Sequence, residues 1–222
     1  MNDAMVKGHG GTEKKSGNWR YRMALPPIQL NYHHDFDLFC ADFPPAWSHY
    51  HWGRLGSGGQ ANARHCFVDD YRLEHLWRRP GQGLLKAIEA DIITAPDFTI
   101  DESFPAELVQ YQVWRSRVLA AYWQEYDVHV IPTLQWGCPE SFPICARGIR
   151  RGSVVAVRGP QRGSEPAWAA GAAYMQNTIQ PQLVLHFGNK LEIWNNAIYL
   201  PLRTTKKLLS TDGCTKSGTG KP

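Results

Sequence analysis

The middle of the chain carries five hydrophobic runs, each ending in a polar or charged residue and each followed by helix-like sequence. The runs are continuous and rich in β-branched residues, a pattern typical of strands that helices cover on both faces. Because strands and helices alternate, the pattern predicts an α/β fold with a mostly parallel sheet. The five runs are residues 65–70, 91–97, 128–136, 153–158 and 182–187.

The segments between the runs predict the helices. A helical pattern over residues 70–90 is interrupted by Pro80-Gly81-Gln82-Gly83, and the longest helix is expected over about residues 105–126. A short helix or turn is expected at 139–149, a helix at 165–179, and a short helix with a last strand at 191–200. Five or six such units are too few for a plain eight-stranded barrel. The prediction is an incomplete or distorted (β/α) barrel-like sheet, with an open doubly wound sheet as the alternative.

The rest of the chain divides by composition. Its 222 residues fit one domain. Residues 1–25 are predicted to be a disordered, basic N-terminal tail, and residues 204–222 a flexible C-terminal tail. Residues 26–64 are rich in Pro, Gly, His and aromatic residues, and are predicted to be an irregular segment packed on the core, with one short strand near residues 28–32. The regular α/β domain is then expected over residues 65–203.

Charge and cysteine usage indicate which partners and which cellular compartment to expect. The net charge of +4 permits contact with nucleic acid but does not demand it. Five cysteines, an odd number without CxxC spacing, and a polar N-terminus without an apolar leader favour a reduced, cytoplasmic protein. No apolar run approaches the roughly 20 residues that span a bilayer, so no membrane contact is expected. The oligomeric state stays open.

The ends of the hydrophobic runs hold the candidate site. If the sheet is parallel, these ends meet at one edge, which is where α/β folds place their chemistry. Asp97 and Asp70 are the candidate catalytic pair, because two facing carboxylates can act as acid and base or bind a divalent cation. Helix capping is the structural alternative for Asp70, and a turn for Asp97. The candidate substrate-binding residues are Arg158, Gln135, Trp136, His186 and Arg117.

Each binding candidate has a physical reason. Arg158 suits a phosphate or carboxylate, and Trp136 suits stacking on a sugar or base. Arg117 on the longest helix is either part of an anion-binding row or, as the favoured interpretation, an interior salt-bridge anchor to Asp97 or Asp127. The basic loop from Arg158 to Gly163 is either a phosphate contact or a solvated turn. No zinc spacing or phosphate-binding loop motif occurs, so no metal ligands are assigned and the cofactor stays open.

Several blocks in order resemble a known family. They are Phe67-Val68-Asp69-Asp70-Tyr71, Ala95-Pro96-Asp97-Phe98-Thr99, Trp114-Arg115-Ser116-Arg117, Ala121-Tyr122-Trp123-Gln124, residues 130–136 and residues 152–157. Their order and spacing over about residues 65–190 resemble the bacterial and phage family called domain of unknown function 4417. The resemblance implies a phage, plasmid or other mobile-element protein, and it implies no established activity.

Three hypotheses follow from the candidate site. The first is an enzyme of hydrolase or transferase type that acts on a phosphate-bearing or nucleic-acid-derived substrate. The second is a non-catalytic nucleic-acid- or protein-binding module in the replication, transfer or regulation of a mobile element. The third is a sugar-acting barrel enzyme, suggested by paired carboxylates and tryptophans.

Overall fold

The computed structural model describes residue 38, residues 50–57 and residues 61–202. Both predicted tails and the strand predicted near residues 28–32 lie outside the described residues. Eight strands are present in the described part, and every hydrogen-bonded pair of them is parallel. They are β1 (Trp52–Arg54), β2 (Ala63–His65), β3 (Ile92–Thr94), β4 (Val130–Ile131), β5 (Thr133–Leu134), β6 (Val154–Arg158), β7 (Leu183–Phe187) and β8 (Ala197–Leu200).

The strands form two four-stranded sheets in the orders β1-β2-β3-β4 and β5-β6-β7-β8. Pro132 separates β4 from β5, so one short stretch of chain pairs with β3 through Val130–Ile131 and with β6 through Thr133–Leu134. Proline has no N–H to give to a neighbouring strand, yet its carbonyl still accepts a 2.9 Å bond from the Ala156 N–H. The two sheets are therefore joined along a single interrupted strand.

The strand order decides between the two predicted architectures. Along both sheets the strands follow each other in chain order without reversal, whereas a doubly wound sheet reverses at a switch point. The barrel-like prediction is confirmed, and the doubly wound alternative is wrong. Among the described strands, β1 and β8 are not hydrogen-bonded to each other, so the barrel is not closed.

Phe187 shows how strongly the sheets curl. Its ring centroid lies 5.1 Å from that of Trp52, 5.2 Å from that of His65 and 5.1 Å from that of Phe67. Strand β7 therefore reaches β1 and the end of β2 across the interior. Truncating a buried phenylalanine to alanine costs about 3–5 kcal/mol in typical cores, so this aromatic cluster stabilises the curled form.

The two faces of each strand pack differently, as the unbroken hydrophobic runs predict. In β6, Val154 and Ala156 belong to the interior cluster that includes Phe187, whereas Val155 and Val157 pack with the helix residue Met175. Both faces of the strand are buried, which is why it carries no alternating polar positions.

The helices cover the outside of the sheets. Pro80 stands at the first turn of α2, and Pro105 immediately precedes α3, where a missing N–H costs nothing. No helix in the part of the chain that the structure describes is both long and apolar enough to cross a membrane. The helices are α1 (Asp70–Arg78), α2 (Pro80–Ile88), α3 (Ala106–Gln124), α4 (Phe142–Ala146) and α5 (Glu165–Ile179), and a 3-10 turn (Pro139–Ser141) precedes α4.

Three local predictions need correction. Strand β1 lies within residues 26–64 and β2 begins there at Ala63, so the sheet begins at Trp52 and not at His65. The run 65–70 is not a strand beyond His65, because the chain turns where the Val68 N–H bonds the Cys66 carbonyl (2.8 Å). Residues 191–194 form no helix.

Candidate functional site

A cleft of about 610 Å³ opens at the carboxyl ends of β3, β5 and β6. Residues from three strand–helix connections line it, within 97–103, 134–137 and 157–168. Four of the predicted site residues meet there, as the parallel arrangement predicts: Asp97, Gln135, Trp136 and Arg158. The other three, Asp70, Arg117 and His186, are not among the lining residues.

Asp97 follows β3, and its carboxyl is unusual in both its hydrogen bonding and its pKa. Its Oδ1 atom is buried and has no hydrogen-bond partner among the described residues. Loss of hydration raises the pKa of the Asp97 carboxyl to about 7, with Arg158 lowering it and Asp70 raising it. A carboxyl that changes protonation near neutral pH can both accept and return a proton, which is the requirement for general acid–base catalysis.

Asp70 is the first residue of α1 and faces a neighbouring loop. Its Oδ1 accepts hydrogen bonds from the Thr99 backbone N–H (3.1 Å) and from the Thr99 hydroxyl (2.9 Å). Asp69 is the residue at the N-cap position of this helix, and the Asp70 carboxylate bonds Thr99 instead of the helix, so Asp70 is not a helix cap. Asp70 fixes the loop that follows Asp97, and its charge raises the pKa of the Asp97 carboxyl. The arrangement supports a positioning role for Asp70.

Arg158 supplies positive charge to the cleft. It is the last residue of β6 and its side chain is exposed. Within residues 50–57 and 61–202, its guanidinium forms no ion pair. Its carbonyl accepts the Trp168 indole N–H at 3.1 Å, which ties the strand end to α5. A guanidinium free of protein partners at a cleft is available for an anionic ligand.

Arg117 is not a substrate-binding residue. It is 2% exposed and donates to three backbone carbonyls, those of Arg147 (3.1 Å), Thr133 (3.1 Å) and Cys145 (3.0 Å). Burial lowers its pKa to about 10, so the guanidinium stays charged at neutral pH. It is an interior anchor, as the favoured interpretation held, but carbonyl oxygens and not a carboxylate hold it.

His186 lies beside the cleft and not in its lining. Its Nε2 is hydrogen-bonded to the Asn189 carbonyl (2.7 Å), and its Nδ1 accepts the Trp194 indole N–H (3.2 Å). Both ring nitrogens are therefore engaged, and burial lowers the His186 pKa. These bonds leave neither nitrogen for a ligand, so the predicted substrate contact is not supported by the geometry.

The His186 neighbourhood fixes the loop that carries Arg158. The Asn189 amide donates to the Pro160 carbonyl (2.9 Å). A Cβ at Gly159 would lie 2.1 Å from the Asn189 carbonyl oxygen, so this close approach of the two loops requires glycine. The loop after β6 is thereby held against the loop after β7.

Sequence reasoning missed several lining residues. Trp168 is the largest, and its position in the first turns of a helix that follows a strand end was the available signal. Asp101 accepts hydrogen bonds from the Ser103 backbone N–H (2.9 Å) and from the Ser103 hydroxyl (2.6 Å). These hydrogen bonds lower the pKa of the Asp101 carboxyl. Glu102, Gln161 and Ser164 complete the polar lining. In the described ranges, no three His, Cys, Asp or Glu side chains are placed to hold a metal ion.

Comparison with known protein families identifies the family of this chain. The family described as Domain of unknown function (DUF4417) matches residues 45–202, most of the chain. The chain belongs to the DUF4417 family. This confirms the resemblance inferred from the sequence blocks, and the match includes every strand and helix of the described fold.

Two phage proteins are similar to this DUF4417 chain. The Gene 1 protein of Mycobacterium phage L5 is 32% identical over 163 residues, which cover 68% of this chain and 69% of the phage protein. The Gene 1 protein of Mycobacterium phage D29 is 33% identical over 136 residues, which cover 60% of this chain and 49% of that protein. The chain thus spans about half the length of the D29 relative. No solved structure matches.

Proposed function

We propose that this DUF4417 protein is a cytoplasmic enzyme of hydrolase or transferase type that acts on a phosphate-bearing or nucleic-acid-derived substrate. The observation that carries the proposal is the Asp97 carboxyl, which has a pKa raised to about 7 in a cleft that also contains Arg158. Perturbed carboxyls in clefts are candidates for acid–base catalysis. The cation beside it is a suitable partner for a phosphate group.

The roles follow from the chemistry of these two groups. Ionised Asp97 accepts the proton of an attacking water or hydroxyl group as that oxygen forms its bond to the substrate. The same carboxyl then returns the proton to the departing oxygen when the scissile bond breaks. Arg158 holds the phosphate through charge-assisted hydrogen bonds. The Ser103 and Ser164 hydroxyls donate to Asp101 and to the Gln161 carbonyl, and their oxygens are available to accept hydrogen bonds from the rest of the substrate.

The test is turnover of a substrate panel by the full chain. The panel contains nucleoside mono-, di- and triphosphates and a single-stranded oligonucleotide, and phosphate release and nucleobase release are followed separately. Asp97→Asn is expected to abolish turnover, since an amide cannot accept the proton, while Glu107→Gln, which changes an exposed carboxylate outside the cleft lining, retains it. Equal turnover in the wild type and Asp97→Asn would overturn the proposal.

The non-catalytic binding module remains the second candidate, because Arg158 and Arg162 are exposed in one short loop. Gel-shift titration at several salt concentrations separates it from the enzyme, since phosphate contacts give a steep salt dependence of affinity. Such a slope without turnover in the panel would favour the module. The sugar-acting alternative loses its predicted carboxylate pair, because Asp70 is bound to Thr99 and does not line the cleft.

A further inference from the structure

Two tryptophans form an aromatic corner in the cleft that acid–base chemistry alone does not explain. Trp136 and Trp168 both line the cleft, with ring centroids 5.1 Å apart and planes inclined by 48°. Trp194 supports both rings from behind at 6.4 Å and 6.0 Å. The remaining lining mixes polar residues with aliphatic residues and glycine, and this corner supplies its aromatic surface.

Both rings are held in place. Trp136 lies against Gly171 of α5, where a Cβ would come within 2.2 Å of the indole Cδ1 atom, so the helix must have glycine there. Trp168 donates its indole N–H to the Arg158 carbonyl at 3.1 Å. The corner is therefore preorganised. A ligand ring can stack on it without the entropic cost of ordering these side chains.

The charges around this corner are divided between two loops. Arg158 extends from the loop after β6, which is the loop that Trp168 binds. Asp97, Asp101 and Glu102 come from the loop after β3. Arg158 therefore suits a phosphate, and the exposed carboxylates of Asp101 and Glu102 suit hydroxyl or amine donors.

The geometry points to a single nucleotide as the ligand, with its base on the Trp136–Trp168 corner and its phosphate on Arg158. Ribose hydroxyl groups donate to the exposed carboxylates of Asp101 and Glu102. A cleft of about 610 Å³ falls within the usual size of small-molecule sites, roughly 300–1,000 Å³. This inference rests on the proposed function, because it names the substrate class of the same cleft.

The test is isothermal titration calorimetry of the full chain with inorganic phosphate, ribose 5-phosphate and the nucleoside 5′-monophosphates. Base stacking on an aromatic side chain increases affinity by roughly 5- to 150-fold. At least one nucleoside monophosphate is therefore expected to bind about 5-fold or more tightly than ribose 5-phosphate. Equal binding of the two ligands would overturn the inference.

Variants identify the surface that recognises the base. Trp168→Leu is expected to remove the preference for the nucleoside monophosphate over ribose 5-phosphate, whereas Trp168→Phe, which retains a ring, and Trp114→Leu, in a different cluster, keep it. Arg158→Gln is expected to weaken all three phosphate ligands, and the exposed Arg162→Gln none of them. A preference that survives Trp168→Leu would contradict the assigned corner.

The outcomes separate this inference from the proposed function. Suppose that binding depends on the base and on Trp168, while turnover is unchanged in Asp97→Asn. That result would contradict the proposed function and support the nucleotide site. Turnover that requires Asp97, together with binding that shows no preference for a base, would support the proposed function and contradict the nucleotide site. An oligonucleotide that binds with a steep salt slope and is not displaced by mononucleotides would place nucleic acid elsewhere on the surface and contradict a single-nucleotide ligand.

Discussion

Replacing Asp97 by asparagine should make the protein more stable at alkaline pH. The Asp97 carboxyl has a pKa raised from 3.8 to about 7, chiefly because it has lost hydration. Between these two pH values the folded protein binds the proton more tightly than the unfolded chain does. Stability therefore falls as the pH rises through this window, and the cost of the ionised group is complete above about pH 7. Asparagine carries no charge and does not incur this cost.

The pKa shift sets the size of the effect. At 1.36 kcal/mol for each pKa unit, a rise from 3.8 to about 7 corresponds to roughly 4 kcal/mol. Asp97 also borders the open cleft, where water reduces the cost of its charge. We therefore expect Asp97→Asn to gain about 2 kcal/mol of unfolding free energy over the wild type at pH 8, and little at pH 4.

The assay is urea unfolding of the wild type and Asp97→Asn at several pH values from 4 to 8. The difference between their free energies of unfolding should increase steadily with pH. Asp101→Asn is the matched control, because Asp101 is exposed in the same loop and its pKa is lowered instead of raised. A difference that is flat with pH, or that favours the wild type at pH 8, would refute the account of Asp97 as a desolvated carboxyl.

Three further substitutions test the supports of the cleft. Arg117→Met should lower the free energy of unfolding by about 3 kcal/mol in urea unfolding, because three buried carbonyls lose their donor; a loss under 1 kcal/mol would contradict the anchor role. Gly171→Ala should displace the Trp136 ring, lower the melting temperature and change the near-ultraviolet circular dichroism, whereas Gly81→Ala, with open space around it, should do neither. His186→Leu should expose the loop after β6 to limited proteolysis, and unchanged cleavage would argue against its positioning role.

The sheet was predictable where burial and strand propensity coincide. Residues 153–158 and 182–187 contain the apolar runs 154–157 and 183–185, and they form β6 and β7 almost to the residue. Strand β1 could not be predicted, because Trp52-Gly53-Arg54 has little strand propensity of its own. Its conformation depends on pairing with β2, whose residues lie after an intervening loop.

The site was predictable only as far as parallel strand ends determine it. That rule brings Asp97, Gln135, Trp136 and Arg158 to one cleft. The direction of each side chain depends on register, which the sequence does not state. His186 is bonded to Trp194 and to the Asn189 carbonyl and does not line the cleft. The sequence could not show which groups anchor Arg117, because its carbonyl partners come from distant segments.

The central claim is that Asp97 is a functional acid–base group beside Arg158. Its most direct test is a ¹³C NMR titration of the aspartate carboxyl carbons in the full chain, with Asp97→Asn used to assign the signal. We predict a pKa of about 7 for Asp97, and a higher value in Arg158→Gln, because Arg158 lowers the Asp97 pKa. An Asp97 signal that titrates near 4, or one that does not respond to Arg158→Gln, would contradict the account.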